Sequence, residues 1–243
     1  MIRFDEADDP RRRSLIQALA AGLFTTALPG GGALAAEVFG TGSSKLPAGR
    51  SIYRMSGKVL VNGNPATIET RIGAGDTVET PKGGEIVFVV GENSMIMREG
   101  SRLELQTEQV ASMIIKGFRM LTGGLLSVSR NRSMQVATAT ATIGIRGTGL
   151  YLEADPQQTY FCTCYGATDV AANDDKESRE TVVSKQHDKP LYILAGAKPG
   201  QSIRRAPFIN HTDQELMLIE SLVGRTPPFV FPGNSYNAPR RDY

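Results

Sequence analysis

Cysteine and histidine are scarce in this sequence, which has only two of each among 243 residues. This scarcity excludes several metal and redox centres. Covalent haem attachment needs a C-x-x-C-H run, and a Rieske cluster needs paired C-x-H and C-x-x-H runs; neither pattern is present. No G-x-S-x-G run occurs, and neither histidine has neighbours that indicate a catalytic triad. The sequence therefore predicts no catalytic residue.

Charge of one sign is also lacking. The 27 lysines and arginines nearly balance the 25 acidic residues, which leaves a net charge of +2. Residues 1–35 contain four arginines and four acidic residues, so their removal does not change this value. Proteins that bind nucleic acid electrostatically carry a strong positive surplus. We therefore expect no nucleic-acid partner.

Long apolar runs are absent after residue 36, so we expect no membrane-spanning segment in the mature chain. Residues 12–16 read Arg-Arg-Ser-Leu-Ile, which has the R-R-x-apolar-apolar form of a twin-arginine signal. A moderately apolar stretch follows and ends at Ala33-Leu34-Ala35, an A-x-A cleavage site. We predict that residues 1–35 are a twin-arginine signal peptide and that the mature protein is periplasmic. A disordered tail or a membrane anchor is the alternative.

Short strand-like segments with turn residues between them fill residues 51–194. Asn62-Gly63 is a strong hairpin signal and predicts a returning strand over 66–71. Residues 85–90 are apolar except at the first position, as in a strand buried on both faces. About a dozen such segments predict an all-β fold, either a sandwich, a barrel or a solenoid.

Three stretches with unusual composition need a separate interpretation. Glycines within residues 112–128 favour two strands around a turn. The glycine-rich run at 144–149 lacks the residue order of a phosphate loop, so we expect a turn or a tight strand crossing there. The acidic residues between 174 and 180 lack EF-hand spacing and predict a solvated loop.

Composition also indicates the limits of the β domain. Residues 36–50 are small, polar and glycine-rich, which is typical of a linker. A loop-like stretch after residue 194 predicts a boundary there, followed by a C-terminal extension over 195–243. Within this extension, Thr212 and Glu215 have the spacing of a capping box, so we predict one helix over 213–223.

Several short motifs occur in an order that is typical of one known family. They lie at residues 57–63, 73–80, 84–94, 100–105, 121–128 and 142–149. The most specific are Gly75-Asp76-Thr77-Val78-Glu79-Thr80, which has the form G-D-x-[IV]-x-T, and Ile145-Arg146-Gly147-Thr148. In this order, over residues 51–172, the sequence resembles the FecR domain.

The resemblance to the FecR domain implies a β-rich periplasmic domain. In better-known members, this domain relays the ligand state of an outer-membrane transporter to a sigma factor. Those members carry a cytoplasmic anti-sigma segment and a membrane helix ahead of the domain, where this sequence has the predicted export signal. We therefore expect only the fold and a binding, sensing or scaffold role towards an unknown periplasmic or envelope protein.

All four cysteine and histidine residues of the sequence lie between residues 162 and 211. Cys162, Cys164, His187 and His211 make the ligand set of a tetrahedral site for zinc, copper or iron. In a strand, the two cysteines would point to one face with their Cα atoms about 7 Å apart, near the upper limit for a disulfide. We therefore predict that these four residues hold one metal ion.

Two other interpretations of these four residues remain open. An oxidising compartment supports a disulfide between Cys162 and Cys164. The four side chains could also be two buried thiols and two histidines with ordinary hydrogen bonds. If the metal site exists, Asp188 is the expected partner of His187, and Asp213 that of His211. The function that we expect is binding, sensing or scaffolding; the alternative is a metal-dependent redox or electron-transfer component.

Overall fold

The computed structural model describes residues 45–107, 115–129 and 133–229. The predicted signal peptide, most of the predicted linker and residues 230–243 lie outside this part of the chain. The strands are β1 Ile52–Ser56, β2 Leu60–Val61, β3 Asn64–Pro65, β4 Thr77–Thr80, β5 Glu85–Val90, β6 Asn93–Met97, β7 Ser101–Gln106, β8 Gly117–Val128, β9 Ser133–Ala137, β10 Ala141–Ala154, β11 Gln158–Ala172, β12 Arg179–Ser184, β13 Leu191–Leu194 and β14 Ile203–Arg205. The helix α1 is Asp213–Leu222. The predicted all-β class with one C-terminal helix is confirmed.

The fourteen strands of the described residues belong to one hydrogen-bonded sheet, which is antiparallel there except where β8 runs parallel to β9. The three longest strands change partners along their length. β8 pairs with β7 and then with β6, and β10 pairs with β9 and then with β8. β11 pairs with β13 and then with β12. These exchanges allow a single sheet to enclose a core, because one strand can join two layers.

The sheet has an apolar layer on each face. The larger cluster draws residues from strands along the whole sheet and includes Phe88, Phe118 and Phe161. The smaller cluster lies on the opposite face, where Leu216 and Ile219 of α1 pack over the sheet. Burying a leucine or isoleucine side chain contributes about 1.5–3 kcal/mol, so this contact holds the helix firmly.

The helix begins where its sequence predicts. The Thr212 hydroxyl accepts the backbone N–H of Glu215, and the Glu215 carboxylate accepts the backbone N–H of Thr212. This reciprocal capping box satisfies two donors that the first turn leaves free. The helix ends at Leu222 and not at the predicted Val223, which serves as its C-cap.

The predicted hairpin at Asn62-Gly63 is present, but its second strand is not where we expected it. Both turn residues have the positive φ that a tight hairpin turn needs, 53° and 78°. The returning strand is only Asn64–Pro65, and residues 66–71 are not in a strand. Pro65 has no N–H to donate, and the Thr70 hydroxyl accepts the Thr67 N–H in a turn.

The prediction of two strands around a turn within 112–128 is wrong for the described part of that stretch, because β8 runs unbroken from Gly117 to Val128. Its glycines serve close approach between backbones instead. A Cβ at Gly117 would lie 2.2 Å from the carbonyl oxygen of Gln135, and one at Gly123 would lie 2.2 Å from Ser101 Oγ. Any side chain at these positions would push the neighbouring strands apart.

Two further features differ from a simple reading of the sequence. The run at 144–149 lies inside β10, where the register with β11 shifts between Arg146 and Gly149. The strand β14, which lies beyond residue 195, was not predicted and pairs with β13.

Within the described ranges, no helix has the length and apolar character required to cross a bilayer.

Candidate metal centre

The fold brings together the four predicted ligands. One donor atom from each of Cys162, Cys164, His187 and His211 lies within 4.8 Å of the others. None of the four residues is more than 4% exposed. Two come from β11, one from the turn after β12 and one from the residue before the helix cap. Residues that are far apart in the chain therefore meet at one buried point, close enough to bind a metal ion.

Local backbone geometry fixes three of these side chains. Cys162 and Cys164 alternate with Thr163 along β11, so both sulfur atoms lie on the face covered by α1. The backbone N–H of His187 donates to the Cys164 carbonyl at 2.9 Å. His187 has a φ of 51°, in the left-handed region that residues with a side chain rarely adopt. The turn therefore places His187 beside the cysteines at some cost in backbone energy.

The fourth ligand is positioned by the helix start. His211 directly precedes Thr212, whose capping box fixes the path of the chain into α1. The His211 ring stacks on Tyr151, with ring centroids 4.5 Å apart. Because Tyr151 is the cross-strand partner of Cys162, the ring that supports the histidine is held by the same sheet as the sulfur ligands.

The spacing of the donor atoms suits a tetrahedral ion. His187 Nδ1 lies 3.1 Å from His211 Nε2 and 3.5 Å from Cys162 Sγ. With metal–nitrogen bonds of about 2.0 Å and metal–sulfur bonds of about 2.3 Å, tetrahedral ligands lie roughly 3.3–3.8 Å apart. These two separations are close to the ideal values, and all other pairs of donor atoms lie within 4.8 Å, so the donors could close around an ion.

The hydrogen bonds on the far side of each ring determine which nitrogens face the centre. His187 Nε2 donates to Asp213 Oδ1 at 2.8 Å, and His211 Nδ1 donates to the Ile209 carbonyl at 2.6 Å. A carboxylate and a carbonyl only accept, so both outer nitrogens carry a proton. In the neutral rings, His187 Nδ1 and His211 Nε2 then present lone pairs to each other. Two facing lone pairs repel each other unless a shared proton or a bound cation lies between them. Metal-ligating histidines have the same tautomer, with the outer N–H bonded to a carboxylate or a carbonyl and the inner nitrogen free to bind the metal.

The expected partners of the two histidines are wrong in detail. Asp188 accepts from the backbone of Lys185 and Gln186 and from Ser184 Oγ, so it shapes the turn, and its interaction with His187 is electrostatic and not a hydrogen bond. Asp213, which was expected at His211, is the partner of His187. The sequence order of an acid and a histidine does not indicate which ring the carboxylate reaches.

The two thiols have opposite electrostatics. The hydrogen bond from Cys164 lowers the pKa of Cys162 well below its ordinary value, and the two histidines act in the same direction against the effect of burial. Burial raises the pKa of Cys164, as does the neighbouring Cys162 sulfur. For His187, burial opposes the charged form, but the hydrogen bonds to Asp213 and Cys162 outweigh it and raise the pKa. These shifts favour a negative Cys162 sulfur next to a positive His187 ring, and an incoming cation displaces protons from its ligands.

Aromatic rings close the site from solvent. The Phe208 ring packs edge-on against the His187 ring, with ring centroids 4.4 Å apart, and the centroid of the Phe229 ring lies 6.3 Å from that of the same histidine. An apolar surround of this kind excludes water and strengthens electrostatic interactions inside. The four donors fill a tetrahedral set without a water position, which is typical of structural sites and not of catalytic ones.

The disulfide interpretation does not describe this structure, in which Cys162 and Cys164 are both free. The two residues share one face of a continuous strand, and their sulfur atoms lie within 4.8 Å of each other without a bond between them. Sequence reasoning missed Tyr151 and Ile209, which position His211. The register between β10 and β11 places Tyr151 beside Cys162, and no local signal encodes that register.

Comparisons with known proteins add a limited structural likeness. No protein-family profile matches the chain, and no curated protein matches it. Two crystal structures of a candidate anti-sigma factor from Parabacteroides distasonis align with TM-scores of 0.42 and 0.41, at 13% and 12% sequence identity. Each alignment covers 54% of this chain, which spans 58% of the length of that protein. Similarity at this level does not establish a shared fold or function.

Proposed function

We propose that this chain is an exported, FecR-like binding, sensing or scaffold module that holds one metal ion through Cys162, Cys164, His187 and His211. The observation that carries the proposal is the convergence of four buried donors whose two imidazoles turn their lone pairs inward. The twin-arginine-like sequence at residues 12–16 supports export to the periplasm with the ion already bound. The order of FecR-like motifs supports the type of module.

The position of the ion supports a structural or sensing role. Its ligands belong to β11, to the turn after β12 and to the segment that leads into α1. An ion bound there fastens the C-terminal segment to the sheet, because no single pair of elements supplies all four donors. The ion is therefore either a permanent structural ion or the ligand that the module senses. In the second case, binding of the ion controls the docking of a partner protein.

An electron-transfer role is the second candidate, supported by the chemistry of the donors. Two sulfur and two imidazole ligands also suit copper and iron, whose redox states differ in charge. The stacked pair of Tyr151 and His211 connects the centre to the face of β10. A copper or iron site would show charge-transfer absorption that bleaches on reduction, whereas a zinc site would be colourless.

Metal analysis of protein exported by its native host, together with a visible spectrum, tests both candidates. We expect one equivalent of metal per chain. Cys162→Ser should lose the metal and also melt at a lower temperature, because binding free energy contributes to folding. Thr163→Ser, on the same strand but the opposite face, is the matched control and should keep both. Full metal occupancy in Cys162→Ser would refute the ligand assignment.

A further inference from the structure

The strand β12 lies at an edge of the sheet. It pairs with β11 on one side, and no strand within the described residues pairs with its other side. No proline interrupts β12, and its register with β11 is continuous from Gly166 to Ala171. An edge strand of this kind presents unpaired N–H and C=O groups, to which another strand can be added.

The hydrogen bonds at the start of β12 show which of its residues face outward. The Ala172 N–H donates to the carbonyl of Ser178, the residue directly before the strand. Because the direction of these bonds alternates along an antiparallel ladder, every second residue of β12 bonds to β11 and the residues between them face away from it. Arg179, Thr181 and Val183 therefore present three N–H and three C=O groups to the open edge.

The side chains of these three residues are exposed as well. Val183 is 75% exposed, whereas the other exposed large apolar side chains of the described residues, Tyr53 and Ile68, reach only 41% and 38%. The neighbouring Val182 points the other way and is buried in the larger apolar cluster, which holds the strand in place. A second strand added to this edge would cover the apolar surface of Val183.

A second copy of β12 fits this edge in one symmetric register. Across a two-fold axis, two antiparallel strands share hydrogen bonds only where outward-facing residues oppose each other. All three outward-facing residues of each strand oppose one another only when the axis passes through Thr181. Thr181 then faces its own copy, and Arg179 of each chain faces Val183 of the other, over which it extends the apolar part of its side chain.

Charged side chains beyond the two ends of β12 support the same register. Glu177 and Lys185 are both exposed, and each lies four residues from Thr181, on opposite sides of it. Antiparallel pairing centred on Thr181 brings Glu177 of each copy beside Lys185 of the other, at both ends of the interface. The backbone N–H of Lys185 donates to Asp188 within its own chain, so the ladder between the two copies ends at this pair of charges.

Other charged side chains near the edge are already paired within the chain. Glu180 forms an ion pair with Lys189, and Asp169 on β11 forms one with Arg146 on β10. Arg179 Nε donates to a backbone carbonyl in the turn before β12. The two copies of Arg179 would lie on opposite sides of the axis, so their charges do not oppose each other directly.

We propose that β12 is a homodimer interface, at which a second copy of this chain adds its own β12 antiparallel about a two-fold axis through Thr181. The partner is a second copy because the strand complements itself, both in charge and in the positions of its outward-facing backbone groups. Three residues per strand make a small interface, so the dimer is weak and forms at high concentration. The interface contains no metal ligand, so this proposal and the proposed function can fail independently.

Sedimentation velocity of the purified protein at a series of concentrations tests the proposal. We expect the mass to shift from that of one chain towards that of two between about 10 µM and about 1 mM. Val183→Lys replaces an exposed side chain and places a second positive charge opposite Arg179, so it should stay monomeric while keeping the melting temperature of the parent. A parent protein that is monomeric throughout, or a dimer that Val183→Lys does not weaken, would overturn the proposal.

A charge exchange tests the register. Lys185→Glu turns two attractive pairs into repulsive ones and should weaken the dimer by about tenfold. Adding Glu177→Lys restores opposite charges and should return the affinity towards that of the parent. Lys82→Glu, at an exposed position away from β12, is the matched control and should dimerise like the parent. If the double variant dimerises no better than Lys185→Glu, the two-fold arrangement is wrong.

Discussion

The contact between Asp213 and the outer nitrogen of His187 should control the affinity of the centre. Removing the carboxylate in Asp213→Ala frees the ring to turn and lowers its basicity, so we expect metal affinity to fall by about 10–100-fold. Asp213→Asn keeps a hydrogen-bond acceptor without the charge, so its metal affinity should lie between that of the parent protein and that of Asp213→Ala. Competition with a chromophoric chelator measures all three proteins.

A second hydrogen bond of Asp213 provides the control for that experiment. Gln186 Nε2 donates to Asp213 Oδ2 at 2.8 Å, on the side away from the histidine. Gln186→Ala removes this bond and leaves the contact with His187 intact, so its metal affinity should match that of the parent. Equal affinity of Asp213→Ala and the parent protein would contradict the assigned role of the carboxylate.

Asp175 gives a pH-dependent prediction away from the centre. The Ser178 hydroxyl, with help from Ser202 and the backbone N–H groups of Gly200 and Glu177, holds the pKa of Asp175 down to about 2. An unfolded aspartate has a pKa of about 3.9. A lowered folded-state pKa adds stability above the unfolded pKa, and that stability is lost as the pH falls from about 4 towards 2.

The variant Asp175→Asn should therefore be less stable than the parent at pH 7, and the difference should shrink as the pH falls from about 4 towards 2. Urea unfolding at a series of pH values measures the difference in the free energy of unfolding between the two proteins. Release of the metal at low pH affects both proteins equally and therefore does not change this difference. Asp174→Asn, at the exposed neighbouring position, should follow the parent throughout. A difference that is the same at pH 7 and pH 2.5 would count against the role of the carboxylate.

At this residue scale, the sequence predicted which side chains meet at the centre but not what holds them. Cysteine and histidine are so rare here that four of them within a short span indicate a shared role. The partners of the histidines depend on the left-handed backbone of His187 and on the exact start of α1. Asp175 was predicted to be solvated, yet it is buried and accepts from Ser178 and Ser202. Its hydrogen-bond donors are up to 27 residues away, beyond the reach of a local pattern.

At the scale of elements, features with a local cause were predicted well. The capping box of α1 depends on residues three apart, and the apolar run of β5 identifies a strand by itself. The glycines of β8 misled the prediction, because the same residue serves turns and close approach between strands. Only the packing of Gly117 against Gln135 and of Gly123 against Ser101 distinguishes the two uses.

The docking of α1 also has a component that sequence patterns do not contain. Glu220 is fully buried and accepts from Arg225 Nε at 2.6 Å and from the Tyr165 hydroxyl. A charge buried at a helix–sheet interface persists only when it is paired, so this contact, which ties α1 to Tyr165 of β11, helps to fix how the helix lies on the sheet. An amphipathic pattern identifies the buried side of a helix but gives no information about its partner strand.

At the scale of the whole molecule, the centre lies with one of the two apolar clusters of the sheet and not with the other. The large core is enclosed by the sheet and does not include the ligands, whereas the cysteines belong to the smaller cluster beneath α1. The assignment of a residue to one cluster or the other depends on the register between paired strands and on where the long strands change partners. Both depend on contacts between residues that are far apart in the sequence. The sequence therefore predicted the fold class but not this division.

This division predicts that metal removal loosens one face of the protein and leaves the other intact. Hydrogen–deuterium exchange with and without a strong chelator should show faster exchange in residues 206–222 and in the turn at 185–189, and unchanged exchange in β4 and β7, whose buried apolar residues belong only to the larger cluster. A ligand that binds only the folded state stabilises it by RT ln(1 + [L]/Kd), which is about 4 kcal/mol at a thousandfold excess over Kd. The free energy of opening of the segment that leads into α1 should decrease by this amount when the metal is removed. Cys162→Ser, which lacks the site, should show fast exchange in these segments and no response to the chelator. Uniform exchange across both faces after metal removal would mean that the ion stabilises the whole domain and does not specifically fasten α1 to the sheet.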